Sequence, residues 1–91
     1  MKTDLVEIYS DASNAAVMRH PGRRFPGVLV QGDTLYSMAQ SARRLQQSAA
    51  GGALDEEASE ELSGLVDRLD QLLAHYKTVM KEHQIALPFR D

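Results

Sequence analysis

The sequence predicts an α+β fold: a small antiparallel β-sheet of two or three strands, followed by an antiparallel helical hairpin with a long C-terminal amphipathic helix. Short β-branched and aromatic runs, separated by turn residues, fill the first third of the chain. Apolar residues then recur at helical spacing in two segments, the second longer and wider than the first. With 91 residues and no cysteine, the chain fits a single domain, 1–91, without disulfides.

Residues 1–32 are expected to form the sheet. Residues 5–9 (LVEIY) predict a strand, and the Ser, Asp and Asn residues that follow it are typical of a turn. Residues 15–19 (AAVMR) predict a second strand, although alanine is a weak strand former. Residues 28–31 (VLVQ) predict the third, between two glycines.

The first helix is expected over residues 33–50. Asp33 or Thr34 can accept a hydrogen bond from a free amide of the first turn, and the glycines at 51 and 52 suit the helix end. One thin apolar stripe follows the helical spacing. Its members are Leu35, Met38, Ala42, Leu45 and Ala49.

The second helix is expected over residues 54–84, with an apolar tail over 85–91 that docks back on the fold. Acidic residues open this helix, where the helix dipole favours them. Its apolar face is wider than the first helix can cover, which predicts a homodimer that pairs the long helices; a monomer whose sheet covers the excess is the alternative. The candidate dimer interface comprises Leu62, Leu65, Leu69, Leu72, Leu73, Tyr76, Val79 and Met80.

The segment from Arg19 to Gly27 is the candidate binding site. It carries three arginines, a histidine and a phenylalanine, and we expect a type II turn at each of its two Pro-Gly pairs. Its arginines can fork onto a phosphate or a carboxylate of a partner, or they can pair with Asp33 or the acidic helix of the same chain. The candidate residues are Arg19, His20, Arg23, Arg24, Phe25, Gln31 and Asp33.

The charge distribution argues against a nucleic-acid-binding domain without excluding it. The net charge is −3, with six basic and four acidic side chains in residues 1–53 and four basic and nine acidic in residues 54–91. Because a basic footprint over the whole domain is absent, only the local patch around the Arg19–Gly27 segment remains.

Motifs for catalysis, metals and cofactors are missing. Residues 27–34 have P-loop spacing, but Asp33 stands where that motif needs a lysine and would repel the phosphates. No serine lies in a G-x-S-x-G elbow, and His75 and His83 are too far apart to chelate one zinc from a helix face. We therefore expect no enzyme activity, no metal and no cofactor.

The string SNAAV-x-R-x-PGRRFPG-xxx-QGD, over residues 13–33, resembles the signature of a family of small uncharacterised bacterial proteins. The resemblance implies a bacterial, intracellular, stand-alone protein. It brings no catalytic residues, since no activity is assigned to the family. It also implies that the Arg19–Gly27 segment and the turn at residues 31–33 form one unit.

The sequence thus favours a small non-enzymatic protein–protein interaction protein, regulatory or immunity-type, that presents the Arg19–Gly27 segment. Binding of a nucleotide, another phosphate ligand or a nucleic-acid backbone through the same arginines is the alternative. The start of the chain has no apolar signal region and no run is long enough to span a membrane, so we expect a cytoplasmic protein.

Overall fold

A computed structural model describes residues 1–91 and confirms the α+β class. Three strands, β1 (Glu7–Ser10), β2 (Ala16–Arg19) and β3 (Gly27–Leu29), precede two helices, α1 (Gly32–Ala49) and α2 (Glu56–Glu82). The chain forms two compact units, Met1–Gln31 and Gly32–Asp91. The first unit contains the sheet and the second contains the helical hairpin.

The sheet is antiparallel, in the order β1-β2-β3. A bulge in β1 shifts the register between Ile8 and Ser10. Cross-strand partners share a face, as do residues two apart on a strand. Ile8 pairs with Met18, and Leu29 pairs with Ala16, two residues before Met18, so these side chains lie on one apolar face. No residue of this unit is fully buried.

Helix α1 packs through a face that matches the predicted stripe only in part. The stripe included Met38 and Leu45, yet these side chains are 47% and 62% exposed. Ala42 of the stripe is buried, at 6% exposure, together with Ala39, at 2%, which the stripe did not include. The smallest side chains face α2, since they allow the closest approach of the two helices, and the larger ones lie beside the contact.

Helix α2 begins and ends with specific caps. Asp55 precedes it in extended conformation, and its Oδ1 accepts the N–H of Ala58 at 2.8 Å, an N-cap arrangement. At the other end, the N–H groups of Gln84 and Ile85 donate to the carbonyls of Lys81 and Met80. Gln84 has φ 57°, so a glutamine occupies the left-handed position that usually takes glycine.

The hairpin has a small core that the tail extends at one end. Val66 and Leu73 of α2 are 5% and 6% exposed and complete the core begun by the two alanines. Phe89 stacks on Tyr36 with ring centroids 4.3 Å apart, which confirms that the tail docks on the hairpin. The Tyr36 hydroxyl donates to the carbonyl of Arg90 at 3.2 Å.

Neither α1 nor α2 combines the length and the apolar character that crossing a membrane requires.

Candidate functional site

The Arg19–Gly27 segment connects β2 to β3, and one hydrogen-bonded turn shapes its start. The N–H of Arg23 donates to the carbonyl of His20 at 3.0 Å, and Gly22 has φ 82°. These are the features of a type II turn with Pro21 and Gly22 at its corners, as the sequence predicts. His20 Nδ1 also lies 2.8 Å from the carbonyl oxygen of Pro21.

The second predicted turn, at Pro26 and Gly27, is wrong. Gly27 does not have a positive φ; it is the first residue of β3 and pairs with Met18. Ladder pairing demands extended backbone, and a glycine accepts that conformation as readily as a turn. The segment is therefore fixed by a turn at its beginning and by the sheet at its end.

Arg19 is bound within the sheet. Its Nε donates to Glu7 Oε1 at 2.7 Å, and its Nη2 reaches the same oxygen. The hydrogen bond to Glu7, and then the charge of that carboxylate, raise the pKa of the Arg19 guanidinium above its ordinary value. This partner lies on the neighbouring strand β1. It is neither Asp33 nor a carboxylate of the acidic helix, the two pairings within the chain that the sequence left open beside an external anion.

The other two arginines have different surroundings. Neither Arg23 nor Arg24 belongs to the ion pairs of the chain, which join Arg19 to Glu7, Arg43 to Asp70 and Lys77 to Asp91. The Arg24 guanidinium carbon lies 5.3 Å from the ring centroid of Phe25, within cation–π range. Phe25 is 72% exposed. An aromatic ring and two unpaired cations therefore face the solvent together.

A shallow cavity of about 370 Å³ lies beside this ring. Met18 and Leu29, from the apolar sheet face, contribute aliphatic surface, while His20 and Arg23 contribute polar groups. Phe25 forms part of the wall. A cavity with this lining suits an apolar side chain that has an acidic group next to it.

The remaining two candidate residues lie where the two units of the chain meet in sequence. Gln31 is exposed and ends the first unit. Asp33 is exposed in the first turn of α1, and its Oδ1 accepts the N–H of Thr34 at 2.9 Å. This carboxylate thus has the local role at the helix start that the sequence predicts.

The candidate interface residues of α2 divide into three groups. Leu73 lies in the core of the hairpin, and the ring of Tyr76 faces Phe89 at a centroid distance of 6.4 Å. Leu65 and Leu72 are 44% and 58% exposed. The other four predicted members are half-buried: Leu62, Leu69, Val79 and Met80.

Sequence reasoning missed Glu7, Met18 and Leu29 as parts of the site. The alternation of side chains along β2 places Met18 and His20 on one face, which is a signal for the cavity. Glu7 carries no such signal, since its position opposite Arg19 depends on the strand register. No three His, Asp or Glu side chains of residues 1–91 are grouped so that they could hold a metal ion.

The model of a protein family of unknown function, DUF6959, matches residues 1–89. No curated protein and no solved structure matches the chain.

Proposed function

The chain belongs to this family of unknown function, and we propose that it is a small non-enzymatic interaction protein whose Arg19–Gly27 segment binds another protein. The observation that carries the proposal is the exposed ring of Phe25, stacked with Arg24 and set beside a cavity of about 370 Å³. Aromatic and arginine side chains are the residues in which protein interfaces concentrate their binding energy.

The shape of the segment supports binding without a large entropic cost. The Pro21-Gly22 turn and the pairing of Gly27 with Met18 hold both ends before any partner arrives. A preformed binding segment loses less conformational freedom on association than a flexible one. Phe25 would serve as the apolar anchor, and Arg23 and Arg24 would meet carboxylates of the partner.

The alternative, a phosphate or nucleic-acid ligand, has less support. Glu7 neutralises Arg19, so two of the three arginines remain for an anion. Arg24 lies over the Phe25 ring, and the lining of the cavity is mainly apolar. A phosphate site needs several hydrogen-bond donors that converge on one point. His20 and Arg23 are the only residues with side-chain donors in the lining of this cavity.

The test is a comparison of bound proteins in lysate of the source organism. The baits are the wild type and a variant that carries Arg23→Ala, Arg24→Ala and Phe25→Ala. A matched control removes two arginines from the other unit, by Arg44→Ala and Arg68→Ala, and the circular dichroism of all three baits is compared. A protein retained by the wild type and the control, and lost by the segment variant, supports the proposal; identical partners for all three contradict it.

The phosphate alternative is tested with the isolated protein. Nucleotide and short single-stranded DNA are titrated at low and at moderate salt and followed by the amide signals of residues 19–27. Binding to the nucleic acid that weakens steeply with salt supports the alternative, because released counterions drive such binding. Unchanged signals at low salt exclude it.

A further inference from the structure

An open apolar groove runs along one side of the helical hairpin, in the unit that does not contain the Arg19–Gly27 segment. Two cavities of about 450 and 380 Å³ make up the groove, and they share Leu45 and Leu62. The larger contains Met38, Leu65 and Leu69, and the smaller extends toward the connection between the helices. The groove is therefore continuous along the hairpin.

The lining of this groove is neutral. Serine, threonine, alanine and larger aliphatic side chains form both cavities, without a single charged residue. Met38, Leu45 and Leu65 are 47%, 62% and 44% exposed, so their side chains lack a cover. An occupant without charge, which presents its own apolar side chains, fits this surface.

The helix contact carries an ion pair on a side away from the groove. Arg43 Nη2 donates to Asp70 Oδ1 at 2.7 Å and joins the two helices there. On each helix, the ion-paired residue and the groove residue next to it, such as Asp70 and Leu69, lie about 100° apart around the axis. The helices thus leave one side open.

The C-terminal tail does not occupy the groove. Phe89 stacks on Tyr36 and faces Tyr76, and Asp91 pairs with Lys77. The hairpin residues that the tail contacts, Tyr36, Tyr76 and Lys77, line neither cavity. The tail is engaged elsewhere on the hairpin and leaves the groove open to another molecule.

The size of the open face matches the requirement of a dimer. Helix α1 has 18 residues, which corresponds to about 27 Å of paired length. With two helices each about 10 Å across, the face measures roughly 540 Å² per copy before corrugation. Two such faces cover about 1,100 Å², which reaches the roughly 1,000 Å² that marks a specific interface.

We propose that the occupant is a second copy of this chain, which places the same groove face to face with the first. A two-fold interface needs a surface complementary to itself, and the exposed side chains of Met38, Leu45 and Leu65 on each copy can fill the neutral groove of the other. The product is a four-helix arrangement in which both copies cover Met38, Leu45 and Leu65. This proposal is independent of the Arg19–Gly27 segment and its partner.

The test is sedimentation equilibrium of the wild type and of two single variants. Leu45→Lys introduces a charge into the groove, and Gln47→Lys introduces the same charge two residues away, on an exposed position outside both cavities. We expect the wild type and Gln47→Lys to have twice the chain mass of 10.1 kDa. For Leu45→Lys we expect association weaker by about 100-fold or more, because an unpaired ammonium would be buried among aliphatic side chains.

Folding of Leu45→Lys is checked by its helical circular dichroism, and 62% exposure of the native side chain makes the substitution tolerable in a monomer. If helicity is lost, Leu45→Ser replaces it and the same weaker association is expected. A wild type that stays monomeric at high micromolar concentration overturns the proposal. Equal association of the Leu45 and Gln47 variants also overturns it.

Discussion

Replacing Gly32 with alanine should destabilise the hairpin, although alanine is the better helix former. Gly32 is the buried first residue of α1. A Cβ atom placed there with ideal geometry would lie 2.5 Å from Cε1 of Tyr76, with Cζ and the hydroxyl oxygen closer still. The Tyr76 ring would have to move, and it faces Phe89, which stacks in turn on Tyr36.

The expected magnitude follows from two opposing effects. Inserting a methyl group into a packed site costs about 1–3 kcal/mol, and the better helix propensity of alanine returns at most about 1 kcal/mol. The net loss should be about 1–2 kcal/mol of the free energy of unfolding. For a domain of this size, each 1 kcal/mol corresponds to about 4–8 °C in Tm.

The assay is urea unfolding at one fixed protein concentration, and the chain offers an internal control. Gly64 lies inside α2, and a Cβ placed on it would have no neighbouring side chain or other element within 4 Å. Gly64→Ala should therefore stabilise by up to about 1 kcal/mol. The double variant Gly32→Ala/Tyr76→Leu removes the overlapping ring atoms. It should therefore lose less stability than the sum of the two single variants.

Two results would refute this reasoning. One is a Gly32→Ala protein as stable as the wild type, which would mean that the Tyr76 ring moves without cost. The other is a double variant whose loss is additive within about 0.5 kcal/mol, since additivity marks residues that do not touch.

Three further outcomes are expected. The side chains of Arg43 and Asp70 are 48% and 34% exposed, so solvent screens their ion pair. A double-mutant cycle that replaces each residue alone and both together should give a coupling energy of about 0.2–1 kcal/mol, and a larger value would contradict this screening. Gln84→Gly should raise Tm by a few degrees, because glycine adopts a positive φ without cost. Gly22→Ala should destabilise by about 1 kcal/mol in thermal unfolding, whereas Gly27→Ala, with open space and no positive φ, should be near neutral.

The order and type of the elements could be predicted from the sequence because each depends on local signals. The strands and helices begin and end within a few residues of their predicted bounds, and Asp55 caps α2 where acidic residues mark its start. The buried face of α1 was predictable only in part, since Ala42 of the predicted stripe is buried and Met38 is not. Helical spacing alone allows either Met38 or Ala39 to face α2. The smaller side chain is the buried one, because it lets the two helices approach more closely.

The chemistry of the candidate site was predictable only in part. The Pro21-Gly22 turn follows from its residues, whereas the conformation of Gly27 depends on pairing with Met18. The partner of Arg19 depends on the register of β1 against β2, which the β1 bulge sets. The positions of charged residues along the chain do not determine that register. Long-range register is thus the information that local pattern lacks.

The absence of any fully buried residue in Met1–Gln31 has a consequence for how this part of the chain opens. Segments with few buried apolar contacts unfold locally at a small fraction of the global free energy. The amide protons of β1, β2 and β3 should therefore exchange with solvent much faster than those near Val66 and Leu73. A partner that holds the Arg19–Gly27 segment would slow that exchange across the whole sheet.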